Sequence, residues 1–324
     1  MPWSHRIGSR LKLRDLHIFM VVATAGTMGR AATELAVSQP VISKAIADLE
    51  YVLGVRLFDR SRRGVELTDY GRSLRDSGIA VFDDLRETVK RLEVLADPNA
   101  GEVRLGTTEP LATGFVSAAL ETMATRYPRM TFQLVQADLA TLSTRDLRAR
   151  NIEFAVARIL EPFSREEFAT EVLFNDPFAV VVGRNSKWAR RHGVALADLV
   201  HERWVFPPII LGIIHGAFEA AGLQPPRADV LTLSVHVHNH LLATGKFVTA
   251  LPRSTFGWGS DHRPFKVLPI EMPTTFAPVA IVTLRGRTLS PPAQRFTECL
   301  RELVRLKEKS LPRRDRRTKE QTRS

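Results

Sequence analysis

Cysteine is nearly absent from this sequence, and its absence excludes one way of stabilising a chain. The 324 residues contain a single cysteine, Cys299. One thiol cannot build an intramolecular disulfide framework, so a disulfide-rich secreted scaffold is excluded and a reducing compartment fits. The opening residues, MPWSHRIGSRLKLRDLHIF, contain no uninterrupted apolar run of the kind that a secretory signal needs. We therefore expect a cytoplasmic protein.

Long apolar runs and catalytic motifs are also missing. The longest apolar stretch, WVFPPIILGIIHGAFEAAGL, holds two prolines, a histidine and a glutamate, which predicts a buried segment rather than a membrane span. No P-loop, G-x-S-x-G elbow or H-E-x-x-H motif occurs. We expect no membrane attachment, no enzyme activity and no cofactor. The length and the 44% apolar residues predict about two domains.

Basic residues are concentrated at the two ends of the chain. Residues 1–68 contain 10 Lys/Arg against 6 Asp/Glu, and the last twenty residues contain 9 against 3. Residues 101–304 contribute only +3 to the total net charge of +11. An acidic partner is therefore expected at one end, and nucleic acid is the commonest partner of that kind.

Helical spacing of apolar residues predicts three short helices at the start of the chain. The second helix runs from Met28 to Leu35 with Thr27 as its N-cap. The third begins after Ser38, also a predicted N-cap, and tolerates Pro40 in its first turn. Two helices joined by the tight turn Ala36-Val37-Ser38 match the helix-turn-helix plan.

The third helix divides into two faces. Its predicted inward side chains are Val41, Ile42, Ala45, Ile46 and Leu49. Polar side chains remain on the outward face, where Gln39 can pair with an adenine edge and Ser43 can bind a base or a phosphate. An ordinary three-helix bundle with a solvated face would share this pattern, so the pattern alone leaves that alternative open.

The segment VRLFDRSRRGVELTDYG predicts two short strands joined by a basic turn at Arg62-Arg63-Gly64. A basic hairpin after a helix-turn-helix is typical of a wing whose arginines contact the phosphate backbone. A hairpin tip of solvated arginines is the alternative, and the order of the elements favours the wing.

The stretch AATELAVSQPVISKAIADLEYVLGVRLFDRSRRGVELTDYG closely resembles the DNA-binding segment of LysR-type transcriptional regulators. The paired alanines, S-Q-P, S-K, L-E, L-G, L-F-x-R, L-T and the following glycine all fall at that family's spacing. The resemblance implies a sequence-specific regulator with a winged helix-turn-helix at residues 11–68. The DNA-binding residues that it implies are Thr27, Arg30, Ser38, Gln39, Pro40, Ser43, Lys44, Arg60, Arg62 and Arg63.

Residues 69–98 predict a long linker helix with a modest coiled-coil seam. Gly78 and Thr88 weaken this seam, and a helix buried on its own domain is the alternative reading. LysR-type regulators use the segment for dimerisation, and a dimer predicts an interrupted palindrome as the double-stranded DNA target. Homodimer and homotetramer both remain open. The predicted dimerisation residues are Leu74, Val81, Leu85, Leu92 and Leu95.

Residues 101–309 alternate strand and helix patterns in two successive sets, which predicts an α/β fold with parallel strands. The spacing alone also fits one larger α/β domain. The family resemblance implies a periplasmic-binding-protein-like effector domain with two subdomains. Residues 310–324 are expected to form a disordered basic tail that either adds DNA affinity or solubilises the chain.

A small-molecule effector of unknown identity is expected between the two subdomains, at strand ends and helix N-termini. A helix beginning near Ser234 favours an anionic head group, whereas the carboxylate of Glu109 would repel one, so the effector's charge is open. The candidate effector-binding residues are Thr107, Thr108, Glu109, Asp138, Arg158, Pro207, Ser234 and His236.

The histidines in SVHVHNHLL raise the question of a metal site, since His236 and His240 share a helix face. No cysteine or paired carboxylate lies nearby, so no metal is predicted. The function that fits best is an effector-modulated transcriptional regulator, with RNA polymerase as a further expected partner. A small-molecule-binding module that carries a helix-turn-helix, and an enzyme on an α/β scaffold, are the rival readings.

Overall fold

A computed structural model describes residues 10–61, 64–97, 99–160, 164, 166–256, 258, 265–270, 272 and 276–310. The chain divides into two compact units, Met1–Val89 and Lys90–Ser324. The predicted tail lies outside the described residues from residue 311 onward. The arginines predicted for the wing tip, Arg62 and Arg63, lie outside them as well.

The first unit is built around a small helical core. Its first helices are α1 (Leu13–Ala25), α2 (Met28–Glu34) and α3 (Gln39–Leu53). They pack around side chains with no exposed area, which are Phe19, Val22, Ala31, Ile42 and Ile46. Apolar residues spaced three and four apart share one face of a helix, and burying that face is what stabilises short helices such as these.

The turns between these helices follow from local chemistry. Gly26 ends α1 at a φ of 72°, and Ala36 turns the chain after α2 at a φ of 51°. The Thr27 hydroxyl accepts a hydrogen bond from the Arg30 N–H at 3.2 Å, which confirms the predicted N-cap of α2. Ser38 occupies the cap position of α3, but its side chain makes no capping hydrogen bond.

A hairpin follows α3. Strands β1 (Phe58–Ser61) and β2 (Gly64–Leu67) pair antiparallel, as predicted for the wing. One oxygen of the Glu50 carboxylate accepts hydrogen bonds from the N–H groups of Leu57, at 2.7 Å, and Phe58, at 3.3 Å. A side chain of α3 therefore holds the start of the hairpin in place.

Two glycines permit the close approach of backbone around this hairpin. Val65 donates its N–H to the Gly26 carbonyl at 2.9 Å. A Cβ atom at Gly64 would lie 2.4 Å from that same carbonyl oxygen, and a Cβ at Gly71 would lie 2.2 Å from the carbonyl oxygen of Leu57. Both distances are far below van der Waals contact, so only glycine fits.

Helix α4 (Asp69–Ala96) is continuous through the boundary between the two units. Its last turns carry Lys90, whose ammonium group lies 3.4 Å from a carboxylate oxygen of Glu153. Glu153 has no exposed area, and its other oxygen accepts the N–H of Ser290 at 3.0 Å. Both buried charges are thus paired, as burial requires.

The second unit is organised on a mixed sheet. Among the described residues its strands are β3 (Ala100–Thr107), β4 (Arg129–Gln136), β5 (Phe154–Arg158), β6 (Phe168–Gly183), β7 (Arg203–Phe206), β8 (Ala228–Leu231), β9 (Phe247–Pro252), β10 (Phe265–Val267) and β11 (Phe276–Leu284). The order across the sheet is β4-β3-β5-β11-β6-β9-β7-β8, and β10 pairs with β6 outside that path.

Strand direction differs in part from the expected parallel arrangement. The alternating segments do form parallel sets, β4-β3-β5 and β9-β7-β8. By contrast, β11 and β6 run antiparallel to each other and to their other neighbours, β5 and β9. They do so because they carry the chain out of one set of strands and back again, which a strand-helix-strand repeat does not require.

Helices and single turns cover the sheet. The helices are α5 (Glu109–Leu111), α6 (Ser117–Arg126), α7 (Leu139–Thr141), α8 (Leu211–Ala220), α9 (Val235–Ala243) and α10 (Pro291–Ser310). Segments with π-helical hydrogen bonding are Ala112–Val116 and Leu142–Leu147, and 3₁₀ turns are Lys187–Arg190, Leu196–Leu199, Pro208–Ile210 and Arg253–Thr255.

The sheet carries two lobes with separate cores. Lobe 1, built on β3, β4, β5, β11 and α10, has a core that includes Phe115, Phe154 and Phe296. Lobe 2, built on β7, β8, β9 and β10, has a core that includes Trp204, Phe206 and Phe218. Strand β6 joins them, because its first part pairs with β11 and its last part with β9. The predicted two-subdomain α/β fold is confirmed.

The glycine at the start of α4 offers a test of the hairpin's anchoring. We expect Gly71→Ala to destabilise the hairpin by about 1–3 kcal/mol, because the new methyl group would collide with backbone. Hydrogen-exchange mass spectrometry of the hairpin amides would show faster exchange. Gly29→Ala is the matched control, since its nearest contact would be an ordinary 3.9 Å; equal exchange in both variants would contradict the anchoring.

Candidate DNA interface and effector cleft

The N-terminal turn of α3 presents polar side chains to solvent. Gln39, Pro40 and Lys44 are exposed, and Ser43 is half-buried. Ser38 is exposed as well, with its hydroxyl uncommitted to the helix. These five predicted positions therefore lie together at one end of one helix, where short side chains and free backbone N–H groups can reach a groove.

One residue of α3 differs from its predicted place. Val41 was expected on the inward face, yet 40% of its surface is exposed. The first turn of the helix extends beyond the core that Ile42 and Ile46 fill, so the side chain one position before Ile42 points outward. Periodicity alone does not reveal where a core ends, and Val41 was consequently missed as a candidate contact.

Further basic and polar groups lie on the flanking elements. Thr27 is half-buried and caps α2, whereas Arg30 is exposed on the next turn. Arg60 is exposed in β1, opposite Val65 of β2. The predicted positions on α2, on α3 and on the wing thus all belong to the first unit.

The predicted dimerisation residues of α4 have unequal surroundings. Leu74 is half-buried against the helical core of the first unit. Val81, Leu85 and Leu92 are exposed by 40%, 43% and 60%. Val89, which the spacing did not select, is 53% exposed. The side chain of Leu95 lies outside the description.

Most candidate effector residues of lobe 1 are already engaged within the chain, whereas the hydroxyl of Thr108 is buried and finds no partner among the described residues. Thr107 is fully buried, and its hydroxyl donates to the Val156 carbonyl at 2.9 Å, so it ties β3 to β5. The carboxylate of Asp138 accepts hydrogen bonds at 2.8 Å from the N–H and the hydroxyl of Thr141. These bonds stabilise the ionised form and lower the pKa of Asp138.

Arg158 takes part in a buried charge network where the two lobes meet. Its guanidinium donates to a carboxylate oxygen and to the carbonyl oxygen of Asp176, each at 2.9 Å, and lies over the Phe178 ring. Asp176 also accepts from the N–H and the hydroxyl of Ser254, in the 3₁₀ turn that follows β9, at 2.8 and 2.6 Å. Burial lowers the pKa of Arg158 and raises that of Asp176, and the opposite charge of each partner offsets the effect.

On the side of lobe 2, two of the candidate residues, Ser234 and His236, lie at the start of α9. The Ser234 hydroxyl accepts the N–H of Val237 at 3.4 Å and so caps the helix. His236 is exposed, and Pro207 is half-buried at the start of a 3₁₀ turn. The carboxylate of Glu109 crosses from lobe 1 and accepts the N–H of Val235 at 3.2 Å. Glu109 and Ser234 are thereby brought to the same helix end.

Among the histidines of the SVHVHNHLL segment, His238 is the buried one, with 3% of its surface exposed. Its Nδ1 lies 3.0 Å from the Ser234 carbonyl oxygen, and burial lowers its pKa. The described residues contain no group of three or more side chains arranged to hold a metal ion. Cys299 is also buried, which raises the pKa of its thiol to about 11 and leaves it a poor nucleophile.

None of the described helices has both the length and the apolar composition that crossing a membrane requires.

Comparison with protein families assigns both units. Residues 13–72 match a family model described as the bacterial regulatory helix-turn-helix protein of the lysR family, and residues 96–305 match the LysR substrate binding domain. The chain belongs to the LysR family. Members of this family are transcriptional regulators that combine a helix-turn-helix DNA-binding domain with a substrate-binding domain for effector response, and both parts are present here.

Individual LysR-family relatives span nearly the whole chain. GbpR of Azospirillum brasilense is 28% identical over 305 residues, which cover 93% of this chain and 89% of GbpR. The dual regulator GltC of Bacillus subtilis is 28% identical, over 89% of this chain and 96% of GltC.

Solved structures show the same fold. A full-length OxyR variant from Pseudomonas aeruginosa matches with a TM-score of 0.61 at 23% identity, over 91% of this chain and 95% of that one. Full-length CbnR in complex with its target DNA matches with a TM-score of 0.52 at 24% identity, over 91% and 100%.

The buried histidine gives this LysR-family domain a pH-dependent stability. Because burial depresses the pKa of His238, the unfolded chain binds the proton more readily than the folded one. The stabilisation is fully present above about pH 6.5 and is lost as the pH falls through the lower folded value. We expect the melting temperature to fall less between pH 7.5 and 5.5 in His238→Asn, whose amide can still donate to Ser234. The exposed His201 changed to Asn is the control, and identical pH profiles for wild type and His238→Asn would refute the assignment.

Proposed function

We propose that α3 reads base edges in the major groove while the β1–β2 wing and the start of α2 contact phosphates. The observation that carries this proposal is the exposed cluster at the N-terminus of α3, where an amide, hydroxyls and an ammonium group project beyond the buried core. Gln39 presents the donor and acceptor pair that matches adenine, and Lys44 matches guanine or phosphate. Arg30 and Arg60 contribute charge that attracts any sequence.

Val41 adds an apolar group to this readout. An exposed valine in the first turn of α3 fits the C5-methyl group of thymine, which is the apolar feature of the major groove. We therefore include Val41 beside Gln39 and Ser43 as a base-contacting residue.

Base-reading and phosphate-binding residues respond differently to substitution. We expect Gln39→Ala to cost about 1–3 kcal/mol on the specific site only and to relax preference at one base position. Arg60→Ala should weaken specific and random DNA alike and reduce the salt slope by about one unit. Fluorescence anisotropy with both DNAs across salt concentrations measures the two effects. An equal loss of affinity for both DNAs in Gln39→Ala would remove its base-reading role.

The regulator reading is tested most directly by footprinting purified protein on the DNA upstream of its own gene and of neighbouring genes. We expect a protected interrupted palindrome and steep salt dependence. Uniform weak binding without a protected site would contradict sequence-specific regulation by this chain and would favour a binding module or an enzyme.

We also propose that α4 pairs two chains, so that two recognition helices meet one DNA site. LysR-family regulators oligomerise and bind DNA, and here α4 carries four exposed apolar side chains, at 81, 85, 89 and 92. Steps of four, four and three residues keep these side chains on one face of a helix. Leu74 supports the proposal less, since it packs within its own unit.

Placing a charge on this face should separate the chains. We expect Leu92→Glu to weaken self-association at least about tenfold, because it removes apolar burial and adds a charge to the seam. Arg91→Glu introduces the same residue at the neighbouring exposed position and should change the association far less. Sedimentation across protein concentrations measures both, and an unchanged mass distribution in Leu92→Glu would exclude this face.

The cleft between the two lobes is the proposed effector site. An effector that contacts both lobes would favour one lobe arrangement over another, and differential affinity of that kind is how a ligand alters DNA binding. We propose further that the protein acts in the cytoplasm, where its DNA target lies, that it contacts RNA polymerase there, and that it catalyses no reaction. Membership of a family of transcription regulators supports these proposals.

A further inference from the structure

Glu109 makes a contact across the cleft that is unusual for a candidate ligand-binding residue. It is the first residue of α5 in lobe 1, yet its carboxylate accepts the backbone N–H of Val235, the first residue of α9 in lobe 2, at 3.2 Å. The two residues are 126 positions apart in the chain. A charged side chain of one lobe thus caps a helix of the other lobe.

The start of α9 is the position at which an anionic ligand would gain most. Free N–H groups and the helix dipole stabilise negative charge there. In this chain two of those donors are already used, because Glu109 accepts the N–H of Val235 and the Ser234 hydroxyl accepts the N–H of Val237. A ligand carboxylate would have to displace Glu109 and would also be repelled by it.

The neighbouring buried histidine offers a hydrogen-bond acceptor rather than a donor. His238 Nδ1 lies 3.0 Å from the Ser234 carbonyl, which can only accept, so Nδ1 carries the proton. Burial lowers the pKa of His238 and so favours the neutral ring, in which Nε2 is an acceptor. That nitrogen is buried and finds no partner among the described residues. The negative charge of Glu109 acts on this ring and raises its pKa against the effect of burial.

The charged residues among the predicted cleft positions also favour a ligand that is not an anion. Arg158 and Asp176 neutralise each other in their buried pair. Asp138 is ionised, since its hydrogen bonds lower its pKa. The charged candidates that remain are therefore the carboxylates of Asp138 and Glu109. No unpaired cation occurs among the predicted cleft residues that the structure describes.

We propose that Glu109 determines the chemical class of the effector: its carboxylate occupies the anion position of the cleft, so the cleft rejects carboxylates and selects a small molecule whose ammonium or amide head group donates hydrogen bonds to Glu109 and to His238 Nε2. This proposal rests on the proposed use of the cleft as the effector site. To that function it adds the charge class of the ligand's head group, and it names Glu109 as the residue that determines this class.

Chemical rescue separates this role from a merely structural one. The full-length protein, labelled with ¹⁵N-valine, is titrated with sodium acetate at constant ionic strength while the Val235 amide signal is followed. In Glu109→Ala, acetate should fill the vacated position and shift this signal in a saturable manner, with at least about tenfold tighter binding than in wild type, or 1.4 kcal/mol. The melting temperature of the variant should rise in parallel.

Two controls make the acetate result specific. Glu121→Ala removes an exposed carboxylate of α6, and its Val235 signal should remain as unresponsive to acetate as that of wild type. Sodium chloride should leave Glu109→Ala unchanged. A saturable acetate response in wild type equal to that of Glu109→Ala, or no response at Val235 in the variant, would overturn the assignment. If Glu109→Ala does not fold, Glu109→Ser, which also vacates the carboxylate position, provides the same comparison.

A separate experiment tests the chemical class of the ligand. Methylammonium chloride should shift the Val235 signal of wild type saturably and should lose this effect in Glu109→Ala and His238→Asn. Wild type without such a response overturns the proposed head group, even where acetate rescue succeeds. Footprinting of the same preparations keeps the outcomes apart, because a lost DNA footprint refutes the regulator function and leaves the acetate and methylammonium results valid for the cleft.

Discussion

Asp176 lies in β6 just before this strand passes from lobe 1 to lobe 2, and three groups donate hydrogen bonds to its carboxylate. One donor, Arg158, ends β5 in lobe 1, and the other two belong to Ser254, in the turn through which the chain leaves β9 of lobe 2. A carboxylate and a guanidinium taken out of water are tolerated only when their hydrogen bonds are satisfied, so removing either partner would cost about 3–5 kcal/mol. The junction of the lobes is therefore held by directional bonds.

The DNA-binding unit could be predicted from the sequence because its determinants are local. Thr27 caps a helix three residues away, Ala36 turns the chain between neighbouring helices, and the apolar residues of α3 follow a helical period. Each of these signals acts over a few residues, so it can be read without knowing the rest of the fold. Val41 escaped prediction because exposure depends on where the core ends, which the period does not contain.

The effector unit could be predicted only at the level of element order. Alternating strands and helices indicated two α/β lobes, but antiparallel β6 and β11 depend on how the chain returns from lobe 2. The candidate cleft residues were chosen from strand ends, and several of them already bond within their own lobe. The contact of Glu109 with Val235 joins positions 126 apart. No local sequence pattern predicts such a contact. The sequence did single out Glu109, because its carboxylate is unfavourable for an anionic ligand at the nearby helix N-terminus.

Strand β5 has a charged anchor at each end. Glu153, just before its first residue, pairs with Lys90 of the helix that leads to the DNA-binding unit, and Arg158, its last residue, pairs with Asp176 between the lobes. The five residues of the strand are all buried, and an extended segment of that length spans roughly 16 Å and stretches very little. Moving Glu153 or Arg158 away from its partner would take a buried charge from its nearest opposite charge, so both ends of the strand resist displacement. The position of this short strand in the sheet is thus set by charge at its two ends as well as by the apolar core around it.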